Sequence, residues 1–141
     1  MKVNRLFLDT AFVVALVNPR DPYHGRAQEW LKRLPTLREA WVTETVLTGV
    51  GNGLARSGRE RAVSFIRSCH HTPNIRVVGL DTSLMHRALD LYADHHDKDW
   101  GLTDCQSFLV MRDQGLMDAL TTDEHFVQAG FRALLLEEAP E

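Results

Sequence analysis

The sequence predicts an α/β fold built on a parallel sheet covered by helices. Three observations predict it. Short apolar runs rich in branched and aromatic residues alternate with stretches of helical periodicity along the whole chain. The turn signals between them are brief, so successive strands are joined through helices, as parallel pairing requires. Acidic residues also recur where an apolar run gives way to a helix, the side of a parallel sheet that faces ligands.

The elements follow in order. Residues 3–8 read as the first strand, closed by Asp9 and Thr10, with an apolar helix after them. NPRDP, residues 18–22, is a loop with two prolines. Residues 25–34 are helical, with Ala27, Trp30, Leu31 and Leu34 on one face. A short strand covers 40–43. The next helix, extending to about Ser57, contains TVLTGVGNGLAR. Its Val46, Leu47, Val50 and Leu54 have helical spacing, yet Gly49, Gly51 and Gly53 alternate among them. Each glycine costs roughly 1 kcal/mol against alanine inside a helix. Gly51 and Gly53 suit a close approach of another backbone. Gly58 ends this helix and 59–69 form another; Pro73 then breaks the chain. Residues 75–79 are a strand, and Asp81 is a good N-cap for a helix over 82–95. HHDKDWG is a loop. A helix over 103–114, a strand over 119–121, a short helix over 123–129 and a last strand over 131–136 follow, and EEAPE is a loose tail. No repeat or linker interrupts this alternation, so residues 1–141 read as a single domain.

Composition narrows the class. The 141 residues are 44% hydrophobic and 25% charged, as in an ordinary globular protein with its own core. The two cysteines, Cys69 and Cys105, are far apart, which argues against a disulfide framework or a cysteine-built zinc site and fits a reducing compartment. The run LFLDTAFVVALV is interrupted by Asp9 and no cleavage site follows it, so neither a signal peptide nor a membrane span is expected and the location is read as cytoplasmic. Residues 1–70 carry 11 Lys and Arg against 6 Asp and Glu; residues 71–141 carry 5 against 13. The cluster Arg56, Arg59, Arg61 and Arg67 is either a solvated helix face or a surface for a polyanion.

Three acids stand at strand ends. Asp9 follows LFL, Asp104 opens a helix in LTDCQSF, and Asp123 follows the strand in ALTTDEHF. Alone, each is explained by the preference for negative charge in a first helical turn. Thr103 with Gln106, and Thr121 with Glu124, also have capping-box spacing. As a set in a parallel sheet they converge at one edge, and converging carboxylates either raise a pKa or hold a cation. Oxygen ligands select Mg²⁺ or Mn²⁺ over zinc. The cluster His95, His96, Asp97 and Asp99 is a poorer ligand set, because adjacent histidines diverge on a helix. His125 follows Asp123 and reads as helix-surface packing ahead of a substrate contact; Trp30 and Trp41 read as core, and Trp100 as packing ahead of a base-stacking side chain near the site. GVGNG lacks the context of a dinucleotide-binding turn.

With these residues in place, the chain resembles the PIN-domain nucleases, particularly the VapC-like toxins of bacterial toxin–antitoxin pairs. The likeness spans LFLDTAFVVAL, TETVLTGVGNGLAR, DKDWGLTDCQSFLVMRDQG and ALTTDEHFVQAGFRALL. It implies a three-layer α/β/α fold with a central parallel sheet of four or five strands. It also implies Mg²⁺- or Mn²⁺-dependent cleavage of RNA, an antitoxin partner and a homodimer. The family's first, third and fourth acids fall on Asp9, Asp104 and Asp123, giving these the catalytic and metal-binding roles. The second acid, a glutamate in such families, falls on Gly49. Glu44 lies five residues earlier, about 140° away around a helix, and does not substitute for it. Two readings follow: a metal-dependent ribonuclease weakened by the missing carboxylate, or a disabled PIN domain that binds RNA or an antitoxin without efficient cutting. A third, an Asp-based phosphotransfer domain, needs a well-placed lysine, and lysines occur only at 2, 32 and 98.

Overall fold

The structure is a computed structural model that describes residues 2–137. Its strands are β1 (Arg5–Leu8), β2 (Glu39–Thr43), β3 (Ile75–Val78), β4 (Asp118–Leu120) and β5 (Arg132–Ala133). They form one sheet in the order β3-β2-β1-β4-β5, with every pairing parallel. The helices are α1 (Thr10–Val17), α2 (His24–Arg33), α3 (Glu44–Gly53), α4 (Arg59–His71), α5 (Thr82–Asp94), α6 (Leu102–Gln114) and α7 (Glu124–Gln128).

The order reverses at β1. Right-handed crossovers therefore put α1 to α4 on one face and α5 to α7 on the other. The packing agrees: α1 meets α2 and α3, α3 meets α4, and α6 lies between α5 and α7. This is the three-layer α/β/α arrangement, with the upper end of the expected strand count.

Strands covered on both faces read as continuous apolar runs rather than alternating ones. Leu6, Phe7 and Leu8 are accordingly all fully buried. The same holds for α6, where residues 105–111 are all buried. Phe108 anchors it, edge-on to Trp100 and Phe126 with ring centres 5.0 Å away in both cases. The helix ends at Gly115, whose φ of 67° is left-handed. There the amides of Gly115 and Leu116 turn back to the carbonyls of Arg112 and Met111.

The glycine-bearing helix is shorter than the sequence suggests. α3 stops at Gly53 and residues 54–57 form a turn, consistent with three poor helix formers in its second half. Gly58 does not end it but stands at the N-cap of α4. The close approach expected at Gly51 and Gly53 is absent. A Cβ on Gly51 would come no nearer than 3.9 Å to Ile66 Cδ1, and one on Gly53 would meet nothing within 4 Å. What supports α3 is its start, where the buried Thr43 Oγ1 accepts from the Val46 amide at 3.0 Å. Thr43→Ala should cost about 1 kcal/mol, read from the urea unfolding midpoint.

Two other boundaries differ. β1 begins at Arg5, because the Asn4 carbonyl instead accepts from the Arg38 amide. The last strand is only two residues long, and Leu134–Leu136 form a 3₁₀ turn that buries Leu134 and Leu135 without further pairing. Of the expected tail, Glu137 pairs with Arg132 at 2.7 Å, and residues 138–141 lie outside the described residues. No described helix is long and apolar enough to cross a membrane.

Candidate metal centre

The strand order puts the switch point of the sheet between β1 and β4, and ligands bind at such points beyond the carboxyl ends. Asp9 follows β1 there and Asp123 lies just beyond β4. Asp9 occupies the N-cap position of α1, but its side chain does not cap that helix. It is only 8% exposed, and its Oδ2 accepts from the Thr121 hydroxyl at 2.7 Å. Thr121 Oγ1 in turn accepts from the Asp123 amide at 3.0 Å. The sequence reading made Thr121 the cap of a box with Glu124; the structure makes it the link between the two acids. Asp123 itself caps α7, accepting from the His125 amide at 2.9 Å.

Asp104 arrives from the other helical layer. The expected box between Thr103 and Gln106 does not form, because α6 begins one residue earlier with Gly101 as its cap. Asp104 Oδ2 accepts from the Gly101 amide at 3.1 Å, which turns the carboxylate back over the helix start. There it meets His125, whose Nδ1 is 3.1 Å from Asp104 Oδ2 and 3.3 Å from Asp123 Oδ1. One donor atom from each of Asp104, Asp123 and His125 lies within 4.8 Å of the others, and this is the one such set among the described residues. Asp9 stands beside it, joined through Thr121. His125 is thus directed into the site rather than packed on the helix surface. Its position two residues after an N-cap aspartate was the only signal in the sequence.

Burial pushes the Asp9 carboxyl up to about 6. The Thr121 hydroxyl and the Thr10 amide oppose this, while the charges of Asp104 and Asp123 add to it. Such a crowded acidic set suits a divalent cation, which would neutralise it and accept its oxygens. Thr121→Val keeps the shape but removes both hydrogen bonds. It should cost about 1–3 kcal/mol and raise the Asp9 pKa further, which carboxyl-carbon NMR titration measures.

The other candidates fall into place. An ideal Cβ on Gly49 would lie 3.5 Å from Thr10 Oγ1, so this face of α3 looks onto the corner just after Asp9. Glu44 points elsewhere: its Oε1 lies 2.7 Å from where a Cβ on Gly79 would be, beyond the end of β3 and two strands from β1. Trp100 is buried, stacked on His95 with ring centres 4.9 Å apart, and its Nε1 donates to Gln128. His95 Nδ1 lies 3.0 Å from the Leu91 carbonyl, so His95 has a packing role, while residues 96–99 of the HHDKDWG loop are exposed. Trp30 is buried, whereas Trp41 is half-buried with its indole N–H on Glu39.

A parallel α/β/α fold with acids gathered at its switch point defines a class of protein. Residues 6–132 match the PIN domain, and the chain belongs to that family. It is 29% identical over 127 residues to the 23S rRNA-specific endonuclease VapC20 of Mycobacterium tuberculosis, covering 89% of this chain and 95% of that protein. The crystal structure of Mycobacterium tuberculosis VapC20, a sarcin–ricin loop cleaving toxin, matches with a TM-score of 0.80 and 28% identity over 92% of this chain and 98% of that one. FitAcB from Neisseria gonorrhoeae shares the fold at a TM-score of 0.61 and 16% identity, over 91% and 97% of the two chains.

Proposed function

We propose that this chain is a single-domain, metal-dependent endoribonuclease of the VapC-like toxin type, working with one carboxylate fewer than its family normally has. The observation that carries the reading is the meeting of Asp104 and Asp123 beside the buried Asp9 at the β1–β4 switch point. The likeness to a 23S rRNA-specific endonuclease along almost its whole length supports RNA as the substrate. In this reading Asp9, Asp104 and Asp123 hold Mg²⁺ or Mn²⁺. When bound, such an ion supplies Lewis-acid stabilisation of phosphoryl charge and lowers the pKa of water. Thr121 fixes the Asp9 carboxylate, and the Gly101 amide fixes that of Asp104. The exposed Arg56, Arg59, Arg61 and Arg67 supply attraction for the RNA backbone. A toxin of this kind implies a cytoplasmic location, a cognate antitoxin and a homodimer.

Gly49 favours a second reading, in which the same fold binds RNA or an antitoxin and cuts little. The test is Mn²⁺-dependent cleavage of ribosomal RNA by the unmodified chain and by Asp104→Asn. Cleavage that disappears with Asp104→Asn and with EDTA supports the enzyme. Binding of RNA without cleavage in either chain supports the disabled domain.

A further inference from the structure

We infer that His125 is a direct ligand of the divalent cation, and that its nitrogen makes the centre favour Mn²⁺ over Mg²⁺. The inference rests on the cation site proposed above and adds to it a ligand and an ion preference. The set of donors that the fold brings closest together is not the three aspartates but Asp104, Asp123 and His125.

The spacing fits coordination. An octahedral ion with bonds of about 2.1 Å puts neighbouring donors about 3.0 Å apart and opposite donors about 4.2 Å apart. His125 Nδ1 is 3.1 Å from Asp104 Oδ2, a hydrogen-bonding distance that an ion would take over, and 3.3 Å from Asp123 Oδ1, and one donor atom of each residue lies within 4.8 Å of the others. These are the separations of donors sharing one ion. The ring is aimed by the backbone: Asp123 caps α7 by accepting from the His125 amide at 2.9 Å, which fixes the first turn of that helix. The His125 side chain is 27% exposed, which leaves room for an ion and its waters. The imidazole lies between the two acids, so the three side chains already face one another.

Gly49 gives the nitrogen its importance. Where a family glutamate would supply a further oxygen, this chain has a hydrogen atom, so the His125 nitrogen would make up a larger share of the ligand set. Hard Mg²⁺ gains little from imidazole, whereas transition ions accept it readily. The cluster therefore selects Mn²⁺, and Co²⁺ still more, over Mg²⁺.

The decisive measurement is pulsed electron paramagnetic resonance on the chain loaded with Mn²⁺. Directly bound imidazole should give ¹⁴N modulation, which changes to the ¹⁵N pattern when the protein is made with ¹⁵N-histidine and vanishes in His125→Ala. Calorimetry should show Mn²⁺ binding weakened about tenfold or more in His125→Ala, with Mg²⁺ binding changed less than about threefold. Mn²⁺ bound without nitrogen modulation in the unmodified chain overturns the inference while leaving a carboxylate site intact, and needs no variant to fold. Equal weakening of both ions, or modulation that survives in His125→Ala, overturns it as well. Failure of Mn²⁺ to bind the unmodified chain at all overturns both this inference and the cation site beneath it.

Discussion

Asp9→Asn should stabilise the metal-free chain by about 3 kcal/mol at pH 7 while removing its RNA cleavage. Burial lifts the Asp9 pKa from 3.8 to about 6, so the fold prefers the protonated acid. The sign follows from proton counting. Between those two values the folded chain holds a proton that the unfolded chain has lost, so stability falls as pH rises. The Asp9 contribution is most favourable below about pH 4, is lost between about 4 and 6, and stays lost above. Asparagine has no charge to desolvate, and its carbonyl still accepts from Thr121. Urea unfolding in EDTA should therefore show the two chains alike near pH 4 and separating as pH rises to 7. Parallel curves across that range would mean that Asp9 is not held as an acid by its surroundings. Saturating Mn²⁺ should raise the unmodified chain more than the variant.

Gly49→Glu should increase Mn²⁺ affinity and RNA cleavage by on the order of 10–100-fold, the size of effect associated with losing an interaction at a metal site. The position admits a side chain, since only Thr10 Oγ1 lies within 4 Å of the added Cβ, at an ordinary contact distance of 3.5 Å. Replacing glycine also helps α3, by up to about 1 kcal/mol. The new carboxylate would start beside the Asp9 corner and bring a further negative charge to the cluster. Without metal that charge repels its neighbours, so the gain in stability should appear mainly when Mn²⁺ is present. If the variant gains no cleavage and the unmodified chain is no faster than Asp104→Asn, the assigned site is wrong.

Much of this was legible in the sequence. Asp81 was read as an N-cap, and its carboxylate does accept from the Leu84 amide at 2.8 Å. That bond is local, three residues long, and local bonds leave a pattern. Asp9 and Asp123 were legible as strand-end residues for the same reason, whereas Asp104 stands in the first turn of α6, which follows a helix and not a strand. Their arrangement was not. Thr121 was read as a helix cap because its spacing to Glu124 suited one, but its hydrogen bond goes to a residue 112 positions away. For His125 the sequence offers surface packing or a substrate contact, but not its partner Asp104, which is 21 positions away across the boundary between α6 and α7. The first contact depends on β4 lying beside β1 and the second on α7 packing against α6, and such packing is a property of the whole fold rather than of any window of sequence. The 3₁₀ turn at Leu134–Leu136 escaped notice because three leucines bury equally well in a strand or a tight turn.

The neighbouring placement of β1 and β4 also sets an order in time. A ribosome makes Asp9 early and Thr121 112 residues later, and β4 must dock between β1 and β5 before the Asp9 carboxylate is enclosed. Until then the acid is solvated, its partners do not exist, and there is no centre for an ion to occupy. A half-made chain is therefore inert, and the closing of the sheet and the completion of the site are one event.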